Sequence, residues 1–96
     1  MITIVAGTNR RKNICQVFAQ AYKEMIETVG GKAQILALDQ VPVCLLHADM
    51  YENDGQDAQI IGLQDQYITD ADKFIFIAPE YNGSIPGILK LFLDAI

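Results

Sequence analysis

Two short segments carry residue types whose spacing could do chemistry. The first is Gly7-Thr8-Asn9-Arg10-Arg11-Lys12-Asn13, between an apolar run and a helical pattern. It brings together a hydroxyl, amide side chains, three cations and the free backbone amides that open a helix. Hydrogen bonding and the helix dipole both favour an anion at such a place. The spacing is not Walker A, which ends in Gly-Lys-Ser/Thr, and it is not Gly-x-Gly-x-x-Gly. Taken alone, the loop is either an anion site or a solvated basic turn. The second segment runs from Ala78 through Pro79, Glu80, Tyr81, Asn82, Gly83, Ser84, Ile85 and Pro86 to Gly87. Pro79 stiffens its exit from the preceding run, and Gly83 and Gly87 let backbone approach a ligand or a helix closely. Tyr81 offers a flat face, and Asn82 offers both donor and acceptor to a planar polar heterocycle.

Other polar residues suggest less. Cys44, His47, Asp49 and Glu52 sit near one another in sequence, but no two have a recognised ligand pairing, so no metal is expected. Glu80 is able to act as an acid or base. Cys15 and Cys44 form neither a metal spacing nor a disulfide framework, and they read as small hydrophobes in a reducing compartment.

The elements that must position the two segments are legible from periodicity. Ile2 to Ala6 is a β-branched run closed by Gly7, as expected of a strand buried on both faces. Ile14, Val17, Phe18, Ala21, Met25 and Val29 fall on one helical stripe, and Gly30-Gly31 supplies its stop. A second strand, roughly Ala33 to Leu38, completes a βαβ unit, whose crossover is almost always right-handed. Asp39 to Gly55, with Pro42 and Asn53-Asp54-Gly55, is expected to be a mobile loop. Ile60, Ile61, Gln64, Tyr67, Ile68 and Ala71 predict a second amphipathic helix. Lys73 to Ala78 is the third strand, ended by Pro79, which cannot donate to a ladder. A last helix is expected after Ser84 as N-cap, with Pro86 in its first turn. Ile85, Ile88, Leu89, Leu91, Phe92, Leu93 and Ile96 make it apolar nearly all round, so burial by the sheet and by a partner subunit is expected. No capping residue follows Asp94-Ala95-Ile96, which suggests that the helix is cut there.

Composition narrows the class. Ninety-six residues allow one domain at most, and at 51% apolar and 20% charged the chain is globular. The net charge of −5 argues against a nucleic-acid binder, because that affinity comes mainly from Lys and Arg on phosphates. The first residues lack a basic leader, and their apolar run is too short for a signal or membrane segment. No membrane partner is expected, and the expected compartment is the cytoplasm.

The stretch from Pro79 to Lys90, Pro-Glu-Tyr-Asn-Gly-Ser-Ile-Pro-Gly-x-Leu-Lys, with Asp94 after it, resembles the signature of the NADPH-dependent FMN reductase family. The first loop resembles that family's phosphate loop, Gly-Ser-x-Arg-x-x-Ser, with Gly7, Thr8, Arg10 and Asn13 at the matching places. Thr8 keeps the hydroxyl, Asn13 exchanges one for an amide, and Ala95 stands where the family usually has Trp. The resemblance implies a flavodoxin-like α/β fold, a parallel sheet with helices on both faces. Here it comprises the N-terminal three strands (order 2-1-3) and three helices. It implies that residues 1–96 are the N-terminal part of one FMN-binding domain whose C-terminal part is absent, so that this segment alone binds FMN weakly.

By the same resemblance, Thr8, Arg10 and Asn13 would hold the FMN phosphate. Pro79, Glu80, Tyr81, Asn82 and Gly83 would line the isoalloxazine and ribityl side; His47, which is not part of the motif, reads as a surface residue near the flavin edge. No protein nucleophile is implied. Hydride would pass from NADPH or NADH through FMN to a small-molecule acceptor: a flavin, a quinone, an azo compound or a metal ion. A homodimer or homotetramer is implied as well. A flavodoxin-like electron carrier and a non-catalytic FMN-binding module are the alternative readings.

Overall fold

The computed structural model describes residues 1–96. Strand β1 (Ile2–Ala6) lies at the centre of a three-stranded sheet of order β2-β1-β3, with β2 at Ala33–Ala37 and β3 at Lys73–Ile77. Both pairings are parallel, and Ile4 stands opposite Ile35 on one side and Ile75 on the other. A central parallel strand is covered on both faces, which explains why β1 shows a continuous apolar run rather than alternation. Ile4 and Ala6 pack beneath helix α1 (Cys15–Thr28), against Cys15 and Ala19. Val5 and Leu36 pack on the opposite face with Ile60 of α2 (Ala58–Gln64) and Ile88, Leu89 and Phe92 of α3 (Gly87–Ala95). The result is the flavodoxin-like arrangement, helices on both sides of a parallel sheet.

Three sequence expectations need correction. The stripe Ile14, Val17, Phe18, Ala21, Met25 and Val29 does not meet the sheet; all six are exposed. The face of α1 turned inward is Cys15, Ala19 and Ile26, roughly 100° round the helix. Small side chains there let α1 sit close over β1 and β2, and the larger apolar residues are left outside. The segment expected to be a mobile loop instead forms three short 3₁₀ turns, Leu38–Gln40, Val43–Leu45 and Ala48–Tyr51. It drives Leu38, Val41, Leu46 and Met50 into the main core, so its apolar residues serve packing.

Third, Ser84 does not cap the last helix. Its backbone pairs with Tyr81 in a tight hairpin, and α3 begins later, with the Pro86 carbonyl accepting from the Leu89 and Lys90 amides. The sheet side of α3 buries Ile88, Leu89 and Phe92, while Ile85 and Leu93 are exposed on the face where a partner subunit is expected.

Helix α2 continues into a π-helical turn, Asp65–Thr69. There the Tyr67 carbonyl accepts from the Thr3 hydroxyl (2.6 Å) and the Gln66 carbonyl from the Gln34 amide (3.0 Å). Both carbonyls lie in the last turn, where intrahelical donors run out, and these side chains satisfy them. The outer edge of β3 has no strand partner. Phe74 and Phe76 are stacked there with ring centroids 6.1 Å apart, beside an apolar cleft of about 160 Å³ reaching Phe92 and Leu93. No helix is long and apolar enough to cross a membrane.

Candidate functional site

The loops leaving β1 and β3 emerge at the same end of the sheet because both strands are parallel and adjacent. Gly7 joins them: its amide donates to the Ile77 carbonyl at 2.8 Å. A Cβ on Gly7 would lie 3.1 Å from Leu89 Cδ2 and 3.3 Å from that carbonyl oxygen, so a side chain there would require its neighbours to give by a few tenths of an ångström. Glycine is favoured at this point by close approach rather than by its backbone angle.

Beyond Gly7 the first loop is built on its own hydrogen bonds. Thr8 is buried, and its Oγ1 accepts from the Arg10 amide at 3.2 Å. Asn13 Nδ2 donates to the Arg10 carbonyl at 2.8 Å, while Asn13 Oδ1 accepts from the Gln16 amide at 3.3 Å. That second bond satisfies one of the orphan donors of the first turn of α1. Asn13 Nδ2 and Gln16 Nε2 both point at Asp39 Oδ2, at 3.4 and 2.5 Å, which ties the loop to the end of β2. The chain reverses at Lys12, whose φ of 54° is left-handed. A non-glycine residue holds that conformation at a cost of about 1–2 kcal/mol, and the surrounding bonds maintain it.

The second loop is a hairpin. Tyr81 and Ser84 exchange backbone hydrogen bonds of 2.9 and 3.1 Å, and the central residues Asn82 (φ 53°) and Gly83 (φ 80°) are both left-handed. Asn-Gly is the pair that tolerates this best, as in a type I′ turn. The Glu80 carboxylate accepts from the Gly83 amide and closes the turn. The hairpin directs the Tyr81 ring toward the first loop, where its hydroxyl lies 2.9 Å from Thr8 Oγ1. This bond joins residues 73 positions apart in the chain.

Between the loops is a cavity of about 470 Å³. Thr8, Arg10, Arg11, Lys12 and Asn13 line it from the first loop, and Ile14 and Cys15 from the start of α1. Pro79 and Tyr81 line it from the second loop. The ion pairs of the protein are Met1 with Asp72, Lys23 with Glu27 and Lys90 with Asp94. None involves Arg10, Arg11 or Lys12. Three unpaired cations therefore surround one cavity in a chain whose net charge is −5. Concentrated positive charge of this kind, next to a helix N-terminus, attracts and orients an anion.

Of the residues singled out from the sequence, Thr8, Arg10, Asn13, Pro79 and Tyr81 meet at this cavity. Glu80, Asn82 and Gly83 form the hairpin next to Tyr81 and do not line it. Asn13 spends its side chain on the Arg10 carbonyl, Asp39 and the cap of α1. Arg11, Lys12, Ile14 and Cys15 line the cavity without having been singled out individually. The three consecutive cations were the available signal for the first two. No group of three or more His, Cys, Asp or Glu side chains converges on a metal geometry, and His47 is exposed outside the cavity lining.

Cys15 is buried, and burial pushes its thiol above the ordinary cysteine range, partly offset by a backbone hydrogen bond. Cys44 is exposed. Alkylation with iodoacetamide at neutral pH is therefore expected to label Cys44 quickly and Cys15 slowly, since the thiolate is the reacting species and access is limited. Peptide mapping over time checks this, and equal rates would show that Cys15 is open to solvent.

The family model described as NADPH-dependent FMN reductase matches residues 1–96. Among curated proteins, the chain is 29% identical over 93 residues to a 2-hydroxy-1,4-benzoquinone reductase of a Burkholderia species, covering 97% of this chain and 48% of that protein. It is 32% identical over 104 residues to an NAD(P)H-dependent FMN reductase of Schizosaccharomyces pombe, with 97% and 48% covered. To a probable NADPH:quinone oxidoreductase 2 of Oryza sativa subsp. japonica it is 32% identical over 93 residues, with 97% and 45% covered. The chain thus spans about half the length of these relatives.

Proposed function

The chain belongs to the NADPH-dependent FMN reductase family, and from that premise we propose that it binds FMN for an NAD(P)H-dependent oxidoreductase acting on a small-molecule acceptor. One observation carries the reading: three unpaired cations and a buried hydroxyl surround a single cavity at the meeting of the β1 and β3 loops. A phosphate monoester carries about −1.5 to −2 charges near neutral pH and only acceptor oxygens toward a binding site. The side chains of Arg10, Arg11 and Lys12, the Thr8 hydroxyl and the opening amides of α1 are the donor set that fits it.

In this reading Thr8 and Arg10 hold the FMN phosphate, and Asn13 keeps their loop in shape by capping α1. Pro79 and Tyr81 wall the cavity on the other side. Glu80, Asn82 and Gly83 form the turn whose backbone faces the ribityl chain and ring, so Glu80 is a turn brace and is not needed as an acid or base. Bound FMN supplies hydride chemistry between nicotinamide and acceptor, and the protein supplies placement and electrostatics. Two of the relatives are named for quinones, and a quinone is the acceptor class we place first, ahead of flavins, azo compounds and metal ions. Residues 1–96 form the N-terminal part of a longer FMN-binding domain and hold FMN weakly alone. The exposed apolar residues of α1 and α3 fit a cytoplasmic homodimer or homotetramer.

Anaerobic mixing of the flavin-loaded protein with NADPH tests the proposal. Bleaching of the oxidised flavin band within minutes is expected. Flavin that stays oxidised with both NADPH and NADH would remove the reductase reading and favour an electron carrier.

A further inference from the structure

Thr8 and Tyr81 meet hydroxyl to hydroxyl at the edge of the cationic cavity. Thr8 Oγ1 has two acceptor sites and one proton. One acceptor site is filled by the Arg10 amide at 3.2 Å. The contact with Tyr81, at 2.9 Å, uses either the second acceptor site or the proton. If Thr8 donated to Tyr81, the remaining lone pair would face an incoming anion and repel it. If Tyr81 donates, both lone pairs are occupied and the Thr8 proton is left for the cavity. An acceptor-only ligand selects the second arrangement, and the tyrosine hydroxyl makes it available.

We propose that Tyr81 is a phosphate-selectivity residue. By donating to Thr8 Oγ1 it holds the Thr8 hydroxyl as a donor toward the phosphate of the flavin nucleotide. The proposal rests on the FMN reading above and gives Tyr81 a second role besides its ring. Tyr81 does not need to touch the phosphate, and it acts as a positioning residue through Thr8. The bond also joins the two loops, adding a side-chain contact to the Gly7–Ile77 backbone bond between the β1 and β3 exits.

The experiment measures Kd for FMN and for riboflavin, which lacks the phosphate, by quenching of flavin fluorescence. It uses the complete protein and its Tyr81→Phe, Thr8→Val and doubly substituted variants. Tyr81→Phe keeps the ring, so riboflavin affinity is expected to stay within about twofold, while FMN affinity falls about tenfold through the loss of one oriented charge-assisted hydrogen bond. Thr8→Val is expected to lower FMN affinity at least as much, and the double variant no further, because both substitutions remove the same device. Riboflavin binding by each variant reports that the fold is intact. A Tyr81→Phe variant that keeps the full preference for FMN, or that loses FMN and riboflavin equally, overturns the proposal while leaving the FMN reading in place. Unsubstituted protein that binds FMN no more tightly than riboflavin overturns the phosphate site itself, and the proposal with it.

Discussion

Arg10→Ala is expected to weaken FMN by roughly 10- to 100-fold and to leave riboflavin within about twofold, the range for losing hydrogen bonds to a charged group. The guanidinium lines the cavity and has no carboxylate partner, so its removal breaks no internal ion pair. The backbone contributions of Arg10, its amide to Thr8 and its carbonyl to Asn13, survive the substitution. The loop should therefore keep its shape, and the change should fall on the phosphate alone. Arg11 and Lys12 remain as cations, which is why binding is weakened rather than abolished. Raising the ionic strength should narrow the difference between the two proteins, because added salt screens the lost charge in the parent. Equal losses for FMN and riboflavin, read from the same fluorescence titrations, would remove Arg10 from the phosphate site.

Phe92→Ala is expected to cost about 3–5 kcal/mol of stability, the range for emptying the place of a buried aromatic ring. Phe92 is 1% exposed and packs in the core formed by Val5, Leu36, Ile60, Ile88 and Leu89. Only 19 of 96 residues are buried, so this one ring carries a large share of the core. Domains of this kind have about 5–15 kcal/mol in total. The lost volume would join the apolar cleft already present beside Phe74 and Phe76, which the neighbours have not closed. Because α3 presses Leu89 against Gly7, loosening α3 is also expected to weaken the cavity. Urea denaturation checks the prediction, with Phe92→Leu falling between parent and alanine variant. A midpoint shift worth less than about 1 kcal/mol would show that the site repacks or is wet.

Residue order already specified the strands, the two chemistry-bearing loops and their place at the strand exits. The apolar runs at Ile2–Ala6 and Lys73–Ile77 are local signals: β1 is buried on both faces and is apolar almost throughout, whereas β3 is an edge strand whose Phe74 and Phe76 stay exposed. Parallel pairing then puts both exits at one end. The two loops were legible by composition, one from its three consecutive cations and the other from its prolines, glycines and tyrosine; that Asn82-Gly83 turns a hairpin and that Asn13 caps α1 was decided by the fold.

Folding decided what local patterns could not. Helix α1 has two faces able to pack, a large apolar one and a small one, and periodicity favours the larger. The sheet takes Cys15 and Ala19, because small side chains allow closer contact with β1 than Ile14 or Phe18 would. Ser84 has the chemistry of a cap, yet the Tyr81 hairpin claims its backbone first. The contact between Thr8 and Tyr81 depends on two loops far apart in the chain, and no pattern in either loop announces it. Short-range propensity fixes what each segment can become, whereas the choice among its faces and partners is made by packing against the rest of the molecule.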